Sequence, residues 1–350
     1  MQDAIAERIT NALALRLSSQ EKVQLAKRYT ESPEAYQLYL QGEYLWLNRR
    51  KDNLAEQSLT YYQRALEKDP NFALAYIGTA DYYIRESNRS ISGREAESKA
   101  RSNIMRALEI DDTLAEAHNA LAELKYQYEY DWSGAERDFK KAVELNPNSA
   151  AIHLAYGWFL MSAARFDEAV PEMEKAREFD PSSLTAKVAR GRLLYFSRQY
   201  DQALQHFQNI IAVEPNSPSA YFSIAQIYLQ KRMFEEFFEA WIKYQGLIGM
   251  PPEDLEKLQK AFNVSGFTGF ARKVLELSDA KAKTGTRVSA STRALINTHL
   301  GRKDEAFAWL EKAFDEREPF MVQLKINPEL DSLRDDPRFQ DLQRRVGFAQ

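Results

Sequence analysis

The chain of 350 residues contains no cysteine, which removes disulfides, thiolate chemistry and cysteine-ligated zinc together. It leaves the redox compartment open, since a cysteine-free chain folds in either setting. No apolar run approaches the ~20 residues that cross a bilayer, and the opening MQDAIAERITNALALRL carries acids where an export leader is basic. Neither membrane insertion nor a leader is expected. Glycine is scarce, 13 residues in all, so a phosphate-cradling loop has little material. GxSxG, GK[ST], HExxH and CxxC patterns are all missing. The 47 lysines and arginines fall short of the 51 acids, for a net charge of −4, which gives no bulk attraction to nucleic acid. Four histidines are present, and His118 and His153 recur at one phase of a pattern described below. That regularity points to packing, because a metal site needs a third convergent ligand. The expectation is a chain without catalytic role, cofactor or metal, and without nucleic acid as a partner.

What is present is 44% hydrophobic and 28% charged residues, enough apolar material for a substantial core. A seven-residue ending recurs as RALEKDP, RALEIDD, KAVELNP, KAREFDP and NIIAVEP, its last residues at 70, 112, 147, 181 and 215. The spacing settles at 34 residues, the mark of stacked helical pairs. Small and large residues fall where two helices would touch, with Gly157 on a first helix and Ala169 and Ala176 on its second, then Gly191 with Ala203 and Phe207. A small residue opposite a bulky one allows close approach. Trp132, Phe166, Tyr200 and Phe234 recur at the same phase, three residues before Ala135, Ala169, Ala203 and Phe237. The acidic stretch ARFDEAVPEMEKAREFDP at 164–181 then reads as a second helix with a solvated outer face, Pro171 near its first turn. Insertions near LNRRKDNLA and RESNRSISGREAESK lengthen the first two units.

This pattern resembles the tetratricopeptide repeat family, most strongly from Phe72 to Pro215, with about seven units in all. The resemblance implies an all-α superhelix of antiparallel helix pairs with terminal capping helices. The expected division is 1–34 as N-terminal helices, 35–248 as a solenoid of about six repeats and 249–287 as an irregular helical pair. A terminal repeat at 288–318, legible in Ala294, Gly301, Ala306, Leu310 and Ala313, and a cap at 319–350 complete it. Within the first of these, Ile5, Ile9, Leu13 and Leu17 recur every four residues, as on one face of an amphipathic helix. Pro328 and Pro337 stand where short helices can begin. The cap is expected to cover the apolar face of the last pair.

A narrower resemblance joins ALALRLSSQEKVQLAKRYTESPEAYQLYLQGEYLWLNRR to the closing LKINPELDSLRDDPRFQDLQRRVGF. Together they resemble the carboxy-terminal repeat region of multidomain bacterial signalling proteins, where it follows a winged helix, a serine/threonine kinase or a nucleotide cyclase. The resemblance implies a regulatory or sensory interaction scaffold, cytoplasmic, or periplasmic if membrane-anchored. A small-molecule or peptide sensor and an unrecognised enzyme stand as the alternatives.

In the family, ligands commonly lie in the groove lined by first helices. Carried across by register, that groove takes Tyr36, Tyr39, Trp46, Ile77, Asn119, Tyr126, Leu154, Trp158, Arg192, Tyr195 and Phe222. The family's carboxylate clamp would need cations and amides where Tyr39, Ile77, Leu154, Val188 and Phe222 stand. The expected partner is therefore an apolar peptide or amphipathic helix, oriented by Asn119 and Arg192.

Overall fold

The computed structural model describes residues 28–48, 53–86 and 91–348, and the apolar stripe from Ile5 to Leu17 lies outside them. The described residues form helices and turns, with no strand among them. They fall into two compact units, up to Thr79 and from Ala80 onward, the boundary lying within helix α3, Ala73–Glu86.

In the first unit α1, Pro33–Leu47, pairs with α2, Leu54–Lys68. Ser32 caps α1 by accepting from the Ala35 amide, with Pro33 at the first helical position. The pair closes around the fully buried Tyr62 ring. A Cβ on Gly42 would stand 2.6 Å from that ring, and one on Gly78 2.7 Å. Both glycines are there because the ring occupies the space of a side chain. The Tyr62 hydroxyl donates to Glu43 Oε1 at 2.7 Å.

The second unit carries the regular stack. After α4, Gly93–Ile110, the pairs are α5, Ala115–Leu124, with α6, Trp132–Leu145; α7, Ala150–Ser162, with α8, Phe166–Phe179; α9, Leu184–Phe196, with α10, Tyr200–Val213; and α11, Pro218–Gln230, with α12, Phe234–Leu247. Every second helix begins at the recurring aromatic. Each preceding turn places one residue in the left-handed region, Tyr130, Ala164, Arg198 and Arg232, at the same 34-residue interval. Gly157 meets Met173 Cγ at 2.8 Å and Gly191 meets Phe207 Cζ at 2.5 Å, measured from a Cβ built on each glycine. The Gly191–Phe207 contact is as expected, while the bulky neighbour of Gly157 is Met173, a residue not paired with it from sequence. The second insertion lengthens a helix: α4 has 18 residues where α6, α8, α10 and α12 have 14.

Pro171 lies inside α8, in its second turn rather than its first. The donor it lacks is one that would have bonded within the helix, a different position from the one the sequence suggested. The helix continues through it to Phe179.

Beyond the stack, α13, Pro252–Lys283, is broken at Ser265 and Gly266, the latter at φ 55°, ψ −148°. That backbone conformation is open to glycine and closed to bulkier residues. Helices α14, Ala290–His299, and α15, Lys303–Asp315, form a last pair. Two short 3-10 turns, Pro319–Gln323 and Pro328–Leu333, and α16, Pro337–Arg345, follow, each started by proline.

Candidate interaction surfaces

The closing segment does more than cover the last pair. Met321, Leu324, Leu330, Leu333, Phe339, Leu342 and Val346 are all buried and share one continuous core with residues of α7, α9 and α11. The Trp132 indole donates to the Val346 carbonyl at 2.7 Å, and its ring lies 4.7 Å from Phe348. Tyr130 stacks on Phe314 at 5.6 Å beneath the Arg317 guanidinium. Arg94 Nε donates to the Asp315 carbonyl, and Gly93 stands so close to the carbonyls of Glu316 and Arg317 that a Cβ would meet them at 2.4 Å. The second unit therefore closes on itself, its last residues returning to the first of its regular pairs.

The tail also reaches residues assigned to the groove from sequence. Gln226 Nε2 donates to Glu329 Oε1 at 2.8 Å, while its carbonyl accepts from Arg192 at 3.0 Å. His299 Nε2 lies 2.9 Å from the other Glu329 oxygen, and Arg198 pairs with Asp331 at 2.9 Å. Burial pushes the Glu329 carboxyl up, but His299, Gln226 and Arg192 outweigh it and hold the group below the ordinary carboxylate value. Burial likewise lowers the Arg192 guanidinium. The tail's acids were not singled out from sequence, although ELDSLRDD carries four of them.

The groove residues named from sequence are placed as follows. Tyr126 and Tyr195 are buried, Tyr126 edge-on to Phe159 at 5.5 Å. Trp158 and Leu154 are partly buried against the core, with the Arg192 guanidinium 6.0 Å from the Trp158 ring centre. Phe222 packs 5.1 Å from Tyr244. Asn119 donates to Glu123, which also takes Arg85 at 2.8 Å. In the first unit Trp46 and Ile77 are buried, and Tyr39 lies 5.9 Å from Tyr62 and 5.2 Å from Phe72. Among these eleven only Tyr36 is exposed.

The two equivalent histidines serve the loops between pairs. His118 Nε2 meets the Asp112 carbonyl at 2.9 Å and His153 Nε2 meets the Pro147 carbonyl at 2.8 Å, each six residues back. Among the described residues no three histidine, aspartate or glutamate side chains converge as a metal ion requires.

A different surface stands out in the first unit. Tyr36, Leu40, Tyr44 and Leu47 follow one another along α1 at helical spacing and are 39, 47, 68 and 78% exposed. Two residues after the small residue of each first helix the chain has Leu124, Phe159, Leu193 and Ile227, exposed by 0, 1, 3 and 0%. Tyr44 holds the same place after Gly42. In the later pairs the first helix packs against the second helix of the preceding pair; among the described residues no helix precedes α1. Below the stripe lies an open cavity of about 340 Å³ lined by Leu40, Gln41, Tyr44, Leu45, Gln57 and Tyr61, none of them charged.

Taken together, antiparallel pairs at a 34-residue period define a helical-repeat solenoid. Tetratricopeptide repeat profiles match residues 126–190 and 188–244, so these residues are tetratricopeptide repeats, whose general role is protein–protein interaction. No curated protein matches the chain's sequence. Solved structures with similar folds include yeast Tom70, at 16% identity over 90% of this chain and 68% of that one, TM-score 0.50. PilF of Pseudomonas aeruginosa is similar at 18% identity over 79% and 98%, TM-score 0.42. PilW, a type IV pilus biogenesis factor, is similar at 19% over 75% and 97%, TM-score 0.44. Among the described residues no helix is long and apolar enough to cross a membrane.

Proposed function

We propose that the chain is a non-catalytic interaction scaffold that takes an amphipathic helix of a partner protein on the open face of its first repeat. The observation that carries this reading is the inequality of equivalent positions: Tyr44 is 68% exposed where Leu124, Phe159, Leu193 and Ile227 are buried. A stacking position within a solenoid is completed by another helix, since a single pair cannot bury both of its faces. The described lining of leucine, tyrosine and glutamine suits an apolar helical face, and burial of such surface contributes about 25 cal/mol per Å² before association costs. The resemblance of the opening and closing segments to bacterial signalling proteins supports a regulatory or sensory setting for the scaffold.

In the second unit, the groove residues Arg192 and Tyr195 lie beside Glu329 of the chain's own tail. This favours the first-repeat face over that groove as the site of a partner. The reading is tested by selecting displayed amphipathic helices against the full chain. Binders should lose at least tenfold affinity against Leu40→Asp/Tyr44→Asp and be unchanged against Val213→Asp, a control at another exposed apolar position. Selection of no helix, or binders indifferent to the double change, overturns it.

A further inference from the structure

A second surface, within the second unit and independent of the first-repeat face, has the opposite chemistry. Between the later half of α13 and the last helix pair lies a cleft of about 530 Å³, with Asp279, Lys283, Arg287, Arg293, Trp309 and Lys312 among its lining. It adjoins a second opening of about 540 Å³, which shares Asp279 and Lys283 and adds Arg272 and Arg302. Arg293 is built in rather than draped over the surface. It is 7% exposed, its guanidinium lies 4.6 Å from the Trp309 ring centre, and Nη1 donates to Asp279 at 2.6 Å. Lys312 stands on the same indole at 5.1 Å. Arg287 is held by Glu316 at 2.8 Å.

The six cations of the two openings face three acids, Glu276, Asp279 and Glu316, in a chain whose net charge is −4. Glu276 is taken by Lys273 from outside the cleft. Among the described residues Arg272, Lys283 and Arg302 form no ion pair. Several cations on a low-dielectric aromatic floor concentrate positive potential in a concave site. A guanidinium pre-positioned by stacking loses little freedom on meeting a carboxylate and can take it through two donors.

We propose that this cleft binds an acidic peptide segment, with adjacent carboxylates on Lys283, Arg293 and Arg302 and apolar side chains over Trp309 and Val288. The interleaved acids break the positive surface into separate positions, which matches spaced carboxylates better than a continuous phosphate backbone. The test is fluorescence anisotropy of a labelled eight-residue peptide of alternating glutamate and leucine, titrated with the full chain at low and physiological salt. Binding should weaken as salt rises and fall at least tenfold in Lys283→Glu/Arg302→Glu, whose melting temperature should stay that of the parent. Leu40→Asp should leave this binding unchanged, so failure here is separate from failure at the first repeat. Absence of binding, equal binding by the charge-reversed variant, or equal binding of a single-stranded oligonucleotide overturns the proposal.

Discussion

Replacing Glu329 by alanine probes whether the tail is anchored where it meets Gln226 and His299. The carboxylate is buried and accepts from Gln226 at 2.8 Å and pairs with His299 at 2.9 Å. Each hydrogen bond to a charged group contributes about 1.5–3 kcal/mol. Removing one partner of a buried charged set typically costs about 3–5 kcal/mol. Relaxation of Gln226 toward solvent trims this, so the expected loss is about 3 kcal/mol. Glu329→Gln, which keeps the shape and one acceptor, should lose about half as much. Urea unfolding followed by circular dichroism reads the difference directly. Hydrogen exchange should place the first new opening in residues 319–348, with α7 and α8 still protected. A loss below about 0.5 kcal/mol, in the range typical of an exposed surface substitution, would refute the anchoring.

Glu329 also predicts a pH dependence. Its pKa lies below the ordinary carboxylate value in the folded chain, so its stabilisation is complete above that ordinary value and is lost as pH falls through the folded one. Tail amides should therefore lose protection under acid, and Glu329→Gln should flatten that loss in hydrogen exchange. Arg165 grips Glu136 through two bonds, at 2.7 and 3.1 Å, and holds its carboxyl at about 2; Arg165→Ala should raise that value toward the usual range in a carboxyl NMR titration. Gly191→Ala forces a methyl against the buried Phe207 ring and should cost about 1–3 kcal/mol, with part of it recovered by Phe207→Leu. Pro171→Ala supplies the missing donor within α8 and should raise stability by about 1 kcal/mol in thermal unfolding, since proline is the poorest helix residue.

The helical pairs were legible in the sequence because each repeat writes the same packing rule in the same place. Gly191 announced Phe207, and Trp132, Phe166, Tyr200 and Phe234 marked where second helices start. The turns between first and second helices hid their common geometry, because Tyr130, Ala164, Arg198 and Arg232 share a left-handed backbone without a glycine to signal it. The return of the tail was not legible. Arg192 and Tyr195 were assigned to the groove by register alone, while the return of Glu329 to them is a contact across more than a hundred residues that no local period encodes. The first-repeat stripe was half visible. Tyr36 was read as groove, but Leu40, Tyr44 and Leu47 stand out only when their exposure is set beside buried counterparts in later repeats.

The most direct measurement is the hydrogen-exchange footprint of a selected amphipathic helix on the full chain. Protection should appear in residues 36–47 and 54–61, with 154–158, 192–195 and 319–348 unchanged. Protection confined to 154–158 and 192–195, with the tail released, would contradict the account and return the partner to the groove.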